Sequence, residues 1–298
     1  MRFTKMHGIG NDYVYIDAFD VDVPDPSGLA PRIADRHQGV GGDGLILVMP
    51  PGDGVDAHVR MRMFNADGSE AEMCGNGIRC VCKYAYDHER SRARPMRVQT
   101  GNGVLELDYR VGADGLVEEV TVDMGPAAFE ADRVPVTLDR LGRIVDEPID
   151  GVVQWPARVD ADWMERCGLD PRMTCVSVGN PHVVLFCRDV AEVPLETVGP
   201  VLERHEIFPQ RINVHFVAVH GPGEVTMRTW ERGTGITQAC GTGASAVCAA
   251  GAATGRTGRD VAAHLPGGDL HLHWRDSDDH VLMTGSATEV FTGDWPDH

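Results

Sequence analysis

The chain has 298 residues, 42% of them hydrophobic and 24% charged, the balance of a soluble globular protein with room for two domains of about 150 residues. Its 45 acidic against 27 basic residues give a net charge of −18, which repels phosphate backbones and makes nucleic acid an unsuitable partner. The N-terminal MRFTKMHGIGND lacks the apolar core of a signal peptide and no 18-residue apolar run occurs, so a cytoplasmic protein with no membrane partner is expected.

From the N-terminus, YVYIDAF (13–19), LILVM (45–49), RMRMF (60–64), MRVQT (96–100) and VLELDYRV (104–111) alternate or run apolar between turn residues and are predicted strands. GLAPRIADRH (28–37) and IRCVCKYAYDH (78–88) are predicted helices. Near LVEEVTVDMGPAAF (116–129) a strand leads through Met-Gly-Pro into a second set of elements. There CVSVG (175–179), VVLFC (183–187), NVHFVAV (213–219) and EVTMRTW (224–230) read as strands, and VGPVLERHE (198–206) as a helix. GASAVCAAGAATG (243–255) is small and apolar all round, which predicts a helix buried inside its domain. TEVFTGDW (288–295) is expected to return to the first sheet. A regular βαβ alternation is absent, so the class is α+β.

The chain also repeats itself. RMFNADGSEAEMCGNGIRC is echoed by RTWERGTGITQACGTGASA: Arg62 and Asn65 precede Cys74 by twelve and nine residues, as Arg228 and Glu231 precede Cys240. GNDYVYID, from Gly10, is echoed by GNPHVVLF, from Gly179. The offsets, 169 residues for the Gly-Asn pairs and 166 for the cysteines, are nearly equal, so the chain reads as a tandem duplication. We place the first domain at 1–120, completed by 286–298, and the second at 121–285, with a ligand site expected in a cleft between pseudo-symmetric halves.

Two decoys fall away on context. GVGGDG (39–44) fits a Gly-x-Gly-x-x-Gly pattern, but a helical run precedes it and a strand follows, the reverse of a dinucleotide site. It reads as a tight turn. His271 and His273 share a strand face without a third ligand, so no metal site is expected. The eight cysteines offer no Cys-x-x-Cys spacing, and most read as small buried apolar groups.

Cys74 and Cys240 differ, because the duplication keeps each immediately before Gly-x-Gly and a helix. A helix N-terminus lowers a thiol's pKa and attracts anions, and Gly75, Gly77, Gly241 and Gly243 allow close approach of a ligand. Two such ends converging on a carboxylate, with one thiolate and one thiol, suit removal and redelivery of a proton at the α-carbon. Helix caps kept merely for packing are the plain alternative. With Lys5 and Lys83 the only lysines, no pyridoxal context is evident and the chemistry is expected to need no cofactor.

Taken together, HGIGNDYVYID, FNADGSEAEMCGNGIRC, VSVGNPHVV, RINVHFV and ERGTGITQACGTGASA resemble, nearly end to end and in order, the motifs of diaminopimelate epimerases. The resemblance implies two similar domains, each a barrel-like sheet around a central helix, with the site in the cleft between them. It implies cofactor-free interconversion of LL- and meso-diaminopimelate in lysine and cell-wall synthesis, the amino acid being the small-molecule partner and a homodimer left open. By motif, Cys74 and Cys240 resemble the catalytic acid/bases, and Gly75 with Asn76, and Gly241 with Thr242, the segments holding the reacting carboxylate. Asn11, Asn65, Asn180 and Asn213 resemble substrate-binding amides, Glu231 and Arg232 the partners of ammonium and carboxylate, and His182 a residue at the edge of the site. Gly44 departs from the glutamine carried by some members, removing a side-chain contact. Histidine or proline/hydroxyproline racemases of the same fold are the alternative, though the proline type usually has histidine where this chain has Asn76. A phenazine-type isomerase or non-catalytic binding protein of the fold would lack the cysteine pair.

Overall fold

The computed structural model describes residues 1–138, 142–157 and 159–296. They form two compact units, one of Met1–Asp123 with Thr284–His298 and one of Met124–Met283.

The first unit opens with β1 (Arg2–Gly8) and β2 (Asn11–Asp17), an antiparallel hairpin. Next comes α1 (Pro26–Ile33), which starts two residues before the predicted span because the Asp25 carboxylate caps it, accepting from the Gly28 N–H at 2.9 Å, with Pro26 at the first helical position. It stops short of the predicted His37 because Asp35 captures the N–H groups of His37 and Gln38, each at 2.7 Å, in a turn. The chain then returns as β3 (Gly44–Met49), parallel to β2, and β4 (Val59–Asn65), antiparallel to β3. After the short β5 (Glu70–Ala71), α2 (Gly75–Asp87) crosses over to β6 (Met96–Thr100), parallel to β4, and the sheet continues antiparallel through β7 (Gly103–Val111) and β8 (Val117–Pro126).

The second unit repeats this plan. The short β9 (Glu147–Pro148) and α3 (Trp163–Cys167) precede the hairpin of β10 (Arg172–Ser177) and β11 (Pro181–Phe186). Helix α4 (Leu195–Glu203) then leads to β12 (Asn213–Gly221), parallel to β11, and β13 (Glu224–Glu231) pairs antiparallel with β12. Beyond β14 (Gly235–Thr237), α5 (Gly241–Ala253) crosses to β15 (Asp260–Leu265), parallel to β13, and β16 (Gly268–Trp274) follows. The last strands are β17 (His280–Ser286) and β18 (Thr288–Asp294), and β18 pairs antiparallel with β1.

The duplication is visible in the register itself. Val14 lies opposite Leu45 in the first unit, and Val183 opposite Val214 in the second, each pair displaced by the 169 residues of the Gly-Asn echo. Both central helices have 13 residues and begin directly after Cys74 and Cys240.

Parallel pairing, seen four times among the described residues, explains why several strands lack clean alternation. LILVM is buried on both faces: Leu45 and Leu47 pack with Phe3, Leu29, Ile33 and Phe64, while Ile46 faces Gly77 at the start of α2. Likewise Val214 and Phe216 join the cluster of Leu195, Val198 and Leu202, and His215 between them faces Gly243 of α5. Each unit thus packs its strands between an inner helix and an outer layer, α1 in the first unit and α3 with α4 in the second. The inner ones are enclosed: α2 touches β1, β2, β3, β4 and β6, and α5 touches β10, β11, β12, β15 and β16. Helix α5 is buried along most of its length, as its small side chains predict.

Contact between α4 and β13 is tight, since a Cβ on Gly199 would stand 2.7 Å from the Trp230 ring, whose Nε1 donates to Glu203 at 2.9 Å. Gly199→Ala is therefore expected to destabilise the protein by about 1–3 kcal/mol through overpacking, read as a lower urea midpoint at unchanged slope.

Candidate functional site

In the first unit Cys74 is the N-cap of α2, in extended conformation, with its Sγ accepting from the Gly77 N–H at 3.5 Å. The thiol donates to Asn11 Oδ1 at 3.3 Å, and the Asn11 amide donates in turn to Asp43 at 2.6 Å. Behind Asp43 stands a charge network in which Arg36 bridges Asp43 and Asp12, and Lys5 pairs with Asp12 and the Gly41 carbonyl. The turn GVGGDG, which leads into β3, supplies Gly41 and Asp43 to this network. The asparagine is thus held from behind by a carboxylate that a guanidinium keeps in place.

Two neighbours of Cys74 carry no mark in the sequence pattern. Tyr13 is buried, and desolvation first, then the negative charge of a Cys74 thiolate and of Asp43, drive its hydroxyl pKa upward. Arg79, one turn into α2, is wholly buried and donates to Asn76 Oδ1 at 3.0 Å and to the carbonyls of Gly75 and Ser286. Burial lowers its pKa, while Cys80, then Cys74, then Tyr15 oppose that. Gly8 makes room for it: a Cβ there would meet the guanidinium and the Asn76 carbonyl at 2.9 Å. Helical spacing placed Arg79 on α2, but nothing local marked it as buried.

Asn65 sits at the end of β4, donating to Ser69 Oγ at 3.0 Å, directly opposite Gly44 in the β3–β4 ladder. Gly44 has φ of 159°, and a Cβ there would stand 2.1 Å from the Phe64 carbonyl. The departure at this position is thus more than a lost contact, because the backbone here accepts no side chain.

In the second unit Cys240 caps α5 and is buried. The expected lowering of its pKa is overturned. Desolvation, then the Glu231 carboxylate, push the thiol well above its ordinary value, outweighing the Thr242 hydroxyl and the Gly243 N–H that pull it down. This setting favours the thiol form of Cys240. Asn213 is a bracket: its amide donates to the Pro181 carbonyl and its Oδ1 accepts from the Arg232 N–H, both at 2.9 Å, while the Arg232 guanidinium reaches the Gln210 carbonyl. Thr237 donates to Glu231 at 2.6 Å.

His182 is completely buried. It bonds Asn180 Oδ1 at 2.7 Å and His215 at 2.9 Å, and His215 bonds Thr229 at 2.9 Å. Burial pushes His215 down to about 3, and His182 goes down through burial, then His215 and Arg232. Neither His215 nor Thr229 was singled out from the sequence, since each sits inside an apparently ordinary strand. The remaining cysteines, Cys80, Cys82, Cys167, Cys175, Cys187 and Cys248, are buried, as expected of structural thiols. A surface cavity of about 920 Å³ in the first unit, lined by Lys83, Asp87, His88, Val117 and Glu289 among others, includes none of the site residues predicted from the sequence. Among the described residues no helix is long and apolar enough to cross a membrane.

Residues 3–130 and 174–290 match the protein family described as diaminopimelate epimerase. The chain belongs to the diaminopimelate epimerase family. It is 46% identical over 297 residues to the diaminopimelate epimerase of Moorella thermoacetica, covering 99% of both chains, and 46% identical over 298 residues to that of Pelotomaculum thermopropionicum, again at 99% of both. Solved structures extend the fold beyond the family. A predicted epimerase from Pseudomonas aeruginosa superposes with a TM-score of 0.70 at 16% identity, over 100% of this chain and 99% of that one. A PhzF-family phenazine biosynthesis protein from Bacillus anthracis reaches 0.69 at 14% identity, over 98% of both chains. At such identities the likeness is one of fold.

Two outcomes follow. Gly44→Gln is expected to destabilise the protein by about 1–3 kcal/mol, because the strand must shift to admit a Cβ, and thermal or urea unfolding measures it. The buried histidines make stability pH-dependent. Unfolded, both bind protons near pH 6.5, while folded His215 resists until about 3 and folded His182 is shifted the same way. Their contribution is therefore full above pH 6.5 and falls as the pH drops below it, by up to about 1.4 kcal/mol per unit for each. Urea titrations between pH 5 and 7 should show this slope, and His215→Leu should reduce it by one proton.

Proposed function

We propose that the protein interconverts LL- and meso-2,6-diaminopimelate in lysine and peptidoglycan precursor synthesis, in the cytoplasm and without a cofactor, with Cys74 and Cys240 as its acid/base pair. The observation that carries the reading is the coincidence of full-length 46% identity to diaminopimelate epimerases with two cysteines at the N-caps of matched 13-residue helices.

The chemistry follows from what those positions supply. Epimerisation requires a base on one face of the α-carbon and an acid on the other, exchanging roles in the reverse direction. A thiolate and a thiol meet both needs. Cys240 suits the acid role at the start, because burial and then Glu231 favour its thiol form. A substrate ammonium pairing with Glu231 would withdraw part of that negative influence, so binding itself would ease release of the proton. Charge that develops on the α-carboxylate in the transition state would be met by the positive helix ends that follow Cys74 and Cys240, at Gly75–Asn76 and Gly241–Thr242. Arg79 adds a fixed positive charge beneath the first of these ends.

Asn11, Asn65, Asn180 and Asn213, with Arg232, are assigned to substrate recognition, chiefly at the distal amino-acid group. Asp43 behind Asn11, and Pro181 beside Asn213, hold two of those amides in fixed orientations, so little side-chain entropy remains to be lost on binding. Such amides with an arginine favour a substrate that carries a second carboxylate and amine over proline or histidine.

In D2O the protein should place deuterium at the α-carbon of LL-diaminopimelate while converging on the meso form, followed by NMR across a panel including proline, hydroxyproline and histidine. Exchange with one of those alone would replace the substrate assignment.

A further inference from the structure

Arg232 sits in a short connection between β13 and β14, closed by the pairing of Glu231 with Gly235. The backbone donors of this turn can be accounted for one by one. The Arg232 N–H goes to Asn213 Oδ1 at 2.9 Å, the Gly233 N–H to Glu203 Oε1 at 3.0 Å, and the Thr234 N–H to the Glu231 carbonyl at 3.1 Å. Two of these acceptors are side chains from outside the turn. Asn213 is one, and the other comes from a helix.

Glu203 is the last residue of α4 and is 1% exposed. Burying a carboxylate is costly unless its oxygens find donors. Here each oxygen has one, and the two donors flank the turn's charged residues. Oε2 accepts from Trp230 Nε1 at 2.9 Å, just before Glu231, and Oε1 accepts from the Gly233 N–H, just after Arg232. The exposed Arg204 and Arg211 stand 3.9 and 3.7 Å from the same carboxylate. The Glu203 carbonyl also accepts from the Ile212 N–H at 3.2 Å, one residue before Asn213. One residue thus braces the turn directly and, through the backbone, the start of the strand that carries Asn213.

Glu231 and Arg232 depend on this brace unequally. Glu231 lies in β13 opposite Gly235, and Thr237 Oγ1 holds its carboxylate separately at 2.6 Å. Arg232 stands at the exposed tip, where strand pairing has ended, and Gly233 beside it has the left-handed φ of 80°. There the main chain is held by Asn213 and, one residue on, by Glu203.

We propose that Glu203 is a positioning residue for substrate recognition: its carboxylate clamps the Trp230 indole and the Gly233 N–H together, and so fixes where Arg232 presents its guanidinium to the distal carboxylate of the substrate. This rests on the reading that Arg232 meets that carboxylate. The distal group does not change during the reaction, so its contact is made alike in the ground and transition states and the clamp acts on KM rather than kcat.

Glu203→Gln in the full-length protein keeps the shape but offers one acceptor where two were, so its amide nitrogen must face either the indole or the Gly233 N–H. KM for LL-diaminopimelate should rise at least about tenfold, the worth of one hydrogen bond to a charged group, while kcat falls less than about threefold. Adding Trp230→Phe removes the competing donor and frees the glutamine oxygen for Gly233, so the double variant should have a lower KM than Glu203→Gln alone. A loss confined to kcat, as a smaller folded fraction would give, an unaltered KM, or a double variant no better than the single one contradicts the proposal. Hydrogen exchange followed by NMR reads the clamp without turnover, and without the double variant should that one not fold. The Trp230 indole and Gly233 amide hydrogens should both be protected in the unmodified protein, and at least one should exchange about tenfold faster in Glu203→Gln, with the amides of the β12–β13 ladder unchanged. Unprotected hydrogens in the unmodified protein, or equal rates in the variant, overturn the clamp. Absence of turnover by the unmodified protein would instead reject the assigned substrate, leaving the exchange rates to decide whether Glu203 holds the turn.

Discussion

A helix enclosed by a sheet must still find acceptors for the N–H groups of its first turn, and this constraint organises both units. Helices α2 and α5 are buried over most of their length, their first turns largely included, so the N–H groups there cannot simply turn to bulk water. At each of those ends stands a cysteine. The positive end of the helix, the glycines that keep the turn open and the buried polar groups behind the sulfur all meet at that position. The duplication makes two such ends.

The two ends are not equivalent, and the difference is electrostatic. Cys74 is half-exposed, bonded to an asparagine and underlain by buried Arg79. Cys240 is desolvated and stands beside a carboxylate. The duplication preserved the backbone frame and the sulfur positions, while the surroundings diverged to bias one toward holding its proton. For a reaction that needs one acid and one base at the start of each turnover, such asymmetry is useful, because it sets the resting protonation without a cofactor.

Much of this was legible in the sequence because the signals are local or repeated. Strand periodicity, the all-apolar small-residue helix at Gly241–Ala253 and the twin Cys-Gly-x-Gly motifs each fall within a dozen residues or recur at one offset. The parallel pairings were not legible, since LILVM and NVHFVAV read as strands whichever neighbour they join. His215 was hidden because its meaning depends on Thr229, His182 and Gly243, which come together only through strand register and a helix crossover. The expected lowering of the Cys240 pKa failed for a related reason: the N-terminus of α5 is visible in sequence, but the depth at which it is buried and the proximity of Glu231 are not. Gly44 looked like a missing side chain and is instead a position where the neighbouring Phe64 carbonyl excludes one.

The central claim is that two sulfurs, one at each helix end, act as a pair on one carbon. Replacing Cys74 and Cys240 singly by Ser and following epimerisation of both LL- and meso-diaminopimelate in D2O tests it most directly. The account predicts that each variant keeps its fold yet loses epimerisation by at least about a hundredfold in both directions, since each sulfur is acid in one and base in the other. Turnover near the unmodified rate in either variant would contradict it.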